Sequence, residues 1–496
     1  MNNLLIWPVI LPLIAGMLFI LLRNKIHLQR VLSVVVLAVV TGISIVLMNQ
    51  IQANGIQTLQ LGGWQAPFGI GLVADMFSIL LVLTTSIVAF CCVVFSFKII
   101  GKDRENHYFY SLVLFLITGI NGSFLTGDLF NLYVFFEVLL LASYVLVSLG
   151  GKKVQLRETM KYVIINVLSS AFFLVGIAYM YSITGTLSLA HISVRIAEVG
   201  QDGFITTVAI LFILVFGMKA GLFLFYWLPG SYSVPPAAVS ALFAALLTKV
   251  GIYAIMRMFT LVFYHEPGIT HLFIGILAAI TMILGGIGAI GYWDINKILT
   301  YNVIIGAGFI LAGFAAFTDS GTLGSIYYLI HDMIVKALIF LIGGVVVYLT
   351  GTTNLKEMSG LIRNHPYLGW MFFIAALSLI GIPPLSGFIG KVFITKGTFE
   401  AGYYWLGAIG LIASLLILYS VMKIFMNAFW GETVLSEEEE KGTTKGVMIP
   451  IALLTILTIA LGIGPEFINA YVETAVESLM NPQTYIDAVF AGNDIP

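Results

Sequence analysis

"FNLYVFFEVLLLASYVLV", residues 130–147, carries a single charge, Glu137, in an otherwise apolar run. A helix that crosses the hydrocarbon core of a bilayer needs about 20 such residues to span about 30 Å. Glu137 follows Gly127 by ten positions, which at about 1.5 Å per residue is about 15 Å along a helix and close to mid-membrane. A charge at that depth costs about 2.5–3.5 kcal/mol. The stretch therefore reads as a transmembrane helix whose carboxylate must face protein or water.

The rest of the chain agrees. Of its 496 residues 60% are hydrophobic and 9% charged, whereas a soluble domain is about 25% charged. The formal net charge of −1, with no basic tail, gives no footprint for nucleic acid. The two cysteines, Cys91 and Cys92, are adjacent in an apolar run and read as packing residues, because neighbours cannot frame a disulfide scaffold. The opening "MNNLLIWPVILPLIAGMLFILLRNK" has no basic segment ahead of its apolar run, so it reads as a first, retained membrane helix. Apolar runs predict about fourteen spans: 3–22, 31–49, 70–97, 107–124, 127–149, 160–183, 203–228, 236–262, 268–291, 298–316, 322–350, 367–399, 404–429 and 447–465.

Charge placement orients them. With both termini outward, 16 of the 23 lysines and arginines fall in inward loops, against Arg195 and Arg257 in outward ones. Five lysines, Lys219, Lys249, Lys336, Lys391 and Lys396, fall within spans. No soluble domain is expected. "GETVLSEEEEKGTTKG", 431–446, reads as a solvated acidic loop, and the tail beyond Pro465 as an interfacial helix.

Glu137, Lys219 and Lys249 all lie deep in apolar runs. Exposed to lipid they would together cost about 8–10 kcal/mol, so they must face the bundle interior, water or each other. A static Glu137–Lys219 pair gluing two helices is one reading. One acid facing several buried lysines is harder to explain statically, and favours a relay of exchangeable protons. "YYLIHDMIVKALIFLIGG" adds His331, Asp332 and Lys336 in one span; Asp332 and Lys336, four apart, share a helix face, while His331 points elsewhere. His331 is read either as a hydrogen-bonded packing residue or as part of the relay.

Two further stretches interrupt the helical pattern. "FYWLPGSYSVPPAAVSALF" carries Pro229, Pro235 and Pro236, and "SLIGIPPLSGFIGKVFITKG" carries Pro383 and Pro384 among glycines just before Lys391. Proline removes a helix donor, and broken backbone at membrane depth persists only where protein or water satisfies it. Paired breaks in two halves of a chain point to an ion path. No phosphate-cradling loop, haem motif or His/Cys metal spacing is present, so neither a cofactor nor a metal site is expected.

"WLPGSYSVPPAAVSALFAALLTKVGIYAIMR" and "GIPPLSGFIGKVFITKG" resemble the antiporter-like subunits shared by respiratory complex I and Mrp-type Na⁺/H⁺ antiporters, and the resemblance covers nearly the whole chain. It implies an all-α integral membrane fold of about 14 helices, with two inverted five-helix repeats (helices 4–8 and 9–13) and broken helices 7 and 12. The organisation it implies is helices 1–3 in 1–106, the repeats in 107–262 and 263–430, the acidic loop 431–446, and helix 14 with a tail in 447–496. By motif match Glu137, Lys219 and Lys249 correspond to the family's helix-5 glutamate and helix-7 and helix-8 lysines, and Lys391 to the residue after the helix-12 break. His331 falls near the helix-11 histidine. There the pattern departs: some members place a histidine four before the lysine, where this chain has Asp332.

The function implied is that of an ion-translocating subunit of a multisubunit cation/proton antiporter, exchanging Na⁺ or another monovalent cation for H⁺. The relay would run through Glu137, Lys219, Lys249, His331, Lys336 and Lys391, driven by the proton-motive force. Its partners would be other Mrp-type subunits and the lipid bilayer, in a bacterial plasma membrane, with no nucleic acid. Two other readings share most of these residues. One is a proton-pumping membrane subunit of a complex I-like quinone reductase or membrane hydrogenase. The other is a non-transporting scaffold, in which neutralising Glu137 would harm assembly rather than transport.

Overall fold

The computed structural model describes residues 2–64, 66–434 and 439–490. Two glutamates of the acidic loop, at 437 and 438, and the last six residues lie outside the described set. In chain order the main helices are α1 (Asn3–Leu21), α2 (Ile26–Asn54), α3 (Met76–Ile99), α4 (Phe109–Leu125), α5 (Leu129–Ser148), α6 (Lys153–Thr184) and α7 (Gly203–Ala220). They continue as α8 (Ala237–Leu261), α9 (Pro267–Gly291), α10 (Ile295–Ala315), α11 (Asp319–Thr350), α12a (Pro366–Ile380), α12b (Ser386–Glu400) and α13 (Tyr404–Phe429). The chain closes with α14 (Met448–Ile463), α15 (Glu466–Met480) and α16 (Pro482–Phe490).

Among the described residues 11 of these helices are long and apolar enough to cross a membrane, and 12 if α14 and α15, bent by 77°, count as one span. Two of the fourteen runs expected as spans, α4 and α12a, are shorter apolar helices. The chain is helical but not purely so. Residues 70–75, read as the start of the third span, instead form strand β2 (Gly71–Ala74), antiparallel to β1 (Gln57–Gln60), and α3 begins only after Asp75 caps it.

Local chemistry sets the helix ends. Asp75, Asp128 and Asp294 each accept a backbone N–H of the first turn, of α3, α5 and α10 respectively, satisfying a donor that has no partner inside the helix. The second break falls where the sequence placed it, whereas the first begins at Gly221, ahead of Pro229, so the span expected over 203–228 stops at Ala220. α7 ends at Gly221 (φ 75°) and α12a at Gly381 (φ 90°), both in the left-handed region that glycine occupies without strain. Freed groups find partners: Phe223 N–H donates to Thr281 Oγ1 (2.7 Å), and Trp227 Nε1 to the Met218 carbonyl (3.2 Å).

The helices that carry Lys249, Asp332 and Lys336 are among the most enclosed. α8 is buried throughout its apolar window, and α10 and α11 nearly so, whereas α1, α2 and α6 leave wide apolar faces open, as lipid contact requires. The tail is no simple interfacial helix. α15 packs on α3, α8 and α11, burying Val472, Ala475 and Leu479, and α16 packs on the short helix Leu189–Val199.

Two halves of the chain share a register. Asp128 bridges Ser188, and Asp294 bridges Asn354, in the same antiparallel manner. α6 and α11 are each 32 residues long, and each runs into Thr-Gly-Thr, at 184–186 and at 350–352. Every one of these equivalent positions is separated by 166 residues (128 and 294, 184 and 350, 188 and 354).

Candidate functional site

The site grows from α5. Glu137 is half-buried, and its Oε1 accepts a short hydrogen bond from the Ser170 hydroxyl of α6. Lys219, in the last turn of α7 beside the first break, donates from Nζ to the same Ser170 oxygen (3.2 Å) and stands 5.1 Å from the Phe136 ring centroid. Glu137 and Lys219 therefore meet through a hydroxyl; no direct ion pair joins them among the described residues. Ser170 can serve both because a hydroxyl donates once and still accepts.

Lys249 lies on α8, just beyond a turn of π-helix at Phe243–Leu247. Its ammonium donates to the Ala244 carbonyl (2.7 Å) and forms an ion pair with Asp332 Oδ2 of α11 (2.7 Å). Lys336, one turn along α11, pairs with Asp332 Oδ1 (3.3 Å). All three side chains are fully buried. Asp332 and Lys336 thus share a face as their spacing predicted, and Asp332 also reaches across to Lys249.

His331 points away from this trio. Its Nδ1 lies 2.8 Å from Ser386 Oγ at the start of α12b, and Ser386 is 3.1 Å from Ser378 Oγ on α12a. Lys391 donates to the Ile380 carbonyl (2.8 Å), which the second break leaves without a helical partner, and to Ser414 Oγ (3.0 Å), and it faces the Phe309 ring at 4.9 Å. Each break thus has a buried lysine beside it.

The structure corrects two placements. Arg257 is not in an outward loop: it is buried within α8 and pairs with Asp75 Oδ2 at 2.6 Å. Lys396 is not a buried intramembrane charge; it is more than half exposed, and its ammonium lies 3.6 Å from Glu400. Sequence reasoning missed Ser170, Ser378, Ser386 and Ser414. Serines in apolar helices usually bond their own preceding turn, so nothing in the residue type marks these four.

Two openings lie near the breaks. A cavity of about 1200 Å³ beside the first break is lined by Lys152, Lys153, Arg157, Lys297, Phe223 and Tyr226, among others. A second, of about 820 Å³, opens beside Lys391 between α12b and α13, with largely apolar walls that include Phe309, Phe388 and Leu411.

Residues 126–435 match the model of the family described as NADH:quinone oxidoreductase/Mrp antiporter, TM. The chain is 50% identical over 490 residues to the D subunit of the Na(+)/H(+) antiporter of Bacillus subtilis, covering 99% of each. It superposes on a chain of the Mrp complex from Dietzia sp. with a TM-score of 0.91 at 28% identity, covering 99% of this chain and 100% of that one. A chain of the membrane-bound sulfane sulfur reductase, an archaeal respiratory membrane complex, shares the fold (TM-score 0.92, 24% identity, 98% and 100% covered). The chain belongs to the NADH:quinone oxidoreductase/Mrp antiporter family of membrane subunits.

Proposed function

We propose that the chain is the ion-translocating subunit of a multisubunit antiporter that exchanges Na⁺ or another monovalent cation for H⁺. The observation that carries this reading is a series of enclosed ionisable groups, strung from Glu137 through Lys219, Lys249 and Lys336 to Lys391, on helices flanked by both breaks. Intramembrane charge on that scale is costly and is retained for ion movement. The choice of an antiporter over a redox complex rests on the named relative, an Na(+)/H(+) antiporter subunit.

In this reading Glu137 is the acid whose charge depends on Lys219 through Ser170. An ammonium that swings from Ser170 toward Lys249 leaves the carboxylate without its partner, and a proton then neutralises it. Repulsion between neighbouring cations carries the charge on through Lys249, Lys336 and His331 to Lys391. The membrane potential supplies about 2.3 kcal/mol per charge per 100 mV. The other antiporter subunits complete the complex, in a plasma membrane. Both termini face outward, an orientation supported by the basic loops; burial of Arg257 removes one of the two charges that counted against it. The repeats are assigned to 107–262 and 263–430, with 1–106 as a separate trio of helices.

Everted membrane vesicles holding the whole complex test this, with a pH gradient imposed before Na⁺ is added. Native vesicles are expected to lose the gradient on Na⁺ addition, and Glu137→Gln vesicles with equal complex by immunoblot to keep it. A normal response from the assembled Glu137→Gln complex would remove Glu137 from the transport cycle.

A further inference from the structure

The shared register exposes a swap between the halves. At a spacing of 166 residues Tyr162, Asn166 and Ser170 of α6 fall on Tyr328, Asp332 and Lys336 of α11. The same register sets Glu137 of α5 against Val303 of α10, which is fully buried and apolar. Each half thus has one carboxylate near its relay lysines, but on a different helix. In the first half Glu137 is on α5, and the matching α6 positions, Asn166 and Ser170, are neutral. In the second the carboxylate has moved to α11, where it faces the first half.

That move decides what the carboxylate touches. Glu137 reaches its lysine only through a hydroxyl, whereas Asp332 contacts two lysines directly, Lys249 from the first half and Lys336 from its own. Neither Asp332 oxygen accepts a hydrogen bond of good geometry among the described residues, although buried carboxylates ordinarily collect several. Beside it stands Gly306 of α10, where a Cβ would lie 2.8 Å from Oδ1. The carboxylate is therefore held by its two lysines and packs directly against Gly306, whose missing side chain is what admits it. The other titratable groups within electrostatic reach of it are Tyr328 and, pointing away, His331 on its own helix, and Lys391 on α12b.

We propose that Asp332 is a positioning residue that couples the two halves: a shared counter-ion that moves between Lys249 and Lys336 as their charges change. With both lysines protonated it bridges them. When Lys336 passes its proton on toward Lys391, the carboxylate moves wholly to Lys249 and holds that proton in place. When Lys249 is neutral it moves to Lys336 and steadies that charge. Without it, two buried ammoniums would face each other uncompensated. This inference rests on the relay reading above.

The test uses the complete complex in everted vesicles, with Na⁺-dependent exchange measured from pH 6.5 to 9.5, the span of about one to two units over which loss of a counter-ion acts. Asp332→Asn keeps size and removes charge. It is expected to cut exchange by about tenfold or more and to move the optimum by about one unit to lower pH, because uncompensated ammoniums hold their protons less tightly. Asp332→Glu is expected to restore the native optimum. Gly306→Ala keeps every charge but pushes a methyl against the carboxylate, and is expected to slow exchange by roughly threefold or more, since a small misplacement in a relay is costly. Exchange that falls only in proportion to assembled complex, with the optimum unmoved, would overturn the proposal. If Asp332→Asn does not assemble, the decision passes to Gly306→Ala, and an unchanged rate there would overturn it. Glu137→Gln and Lys249→Met run in parallel: if these assemble and still exchange, the relay itself fails, whereas if they are inactive and Asp332→Asn is normal, only the counter-ion role fails.

Discussion

Ser170 is the residue on which the first half of the site turns. It donates to Glu137 and accepts from Lys219, so one hydroxyl carries the electrostatic contact between an acid and a base that do not touch. Hydrogen bonds to charged groups contribute about 1.5–3 kcal/mol each, which corresponds to about ten- to a hundredfold in a rate that depends on one. Ser170→Ala is therefore expected to lower Na⁺-dependent exchange in everted vesicles by at least about tenfold, with the amount of assembled complex unchanged. Ser170→Thr should retain most of the activity, since the hydroxyl remains. An assembled Ser170→Ala complex with native exchange would mean that Glu137 and Lys219 communicate by another route. The carboxylate and the lysine were legible from their cost in an apolar run. The serine was not, because its partner lies 33 positions away along the chain and no local spacing encodes it.

At the scale of elements the second break depends on close helix crossing. A Cβ at Gly387 would stand 1.9 Å from the Ser378 carbonyl oxygen and 3.0 Å from His331 Nε2, so α12b packs against α12a and α11 only because that position lacks a side chain. Gly390 is in the same situation against Tyr328 of α11. Gly387→Ala is expected to force α12b outward and to destabilise the folded chain by about 1–3 kcal/mol, read as a lower midpoint of thermal aggregation of the detergent-solubilised complex. It should also separate His331 from Ser386. An unchanged midpoint would show that the break relaxes around an extra methyl. The sequence announced this break through Pro383 and Pro384, because proline's missing donor is a local property. Which helices the glycines meet is not local.

The whole molecule is tied together by a second buried charge pair, remote from the relay. Asp75 at the start of α3 binds Arg257 of α8, and the guanidinium also faces the rings of Phe77, Tyr253 and Tyr485 at 5.8, 5.4 and 5.2 Å. Ser478 of α15 approaches Asp75 Oδ2 at 3.5 Å. The pair thus joins the first three helices, the first half and the C-terminal helices. Removing one partner leaves a buried charge uncompensated, at about 3–5 kcal/mol. Asp75→Asn is expected to reduce assembled complex and its thermal midpoint strongly, and the double replacement Asp75→Asn with Arg257→Met to recover part of the loss. If the double variant were no better than the single, the pair would matter for its geometry rather than its charge balance.

What the sequence determined by itself follows from energies that attach to single residues and short runs. Apolar runs of about 20 residues set the membrane class, and the cost of intramembrane charge marked Glu137, Lys219, Lys249, Lys336 and Lys391. Proline and glycine marked the second break and prolines the stretch just past the first, and four-residue spacing put Asp332 and Lys336 on one helix face. What only the tertiary structure decided is which groups meet across helices: Ser170 between Glu137 and Lys219, Asp332 against Lys249, His331 against Ser386. It also decided what is enclosed. Arg257, near the end of an apolar run, reads as a loop charge until the C-terminal helices fold over the end of α8, and Lys396 reads as buried until α12b turns it outward. Spacing along one helix fixes depth and face, but a partner on another helix is fixed by packing, which depends on every side chain between them.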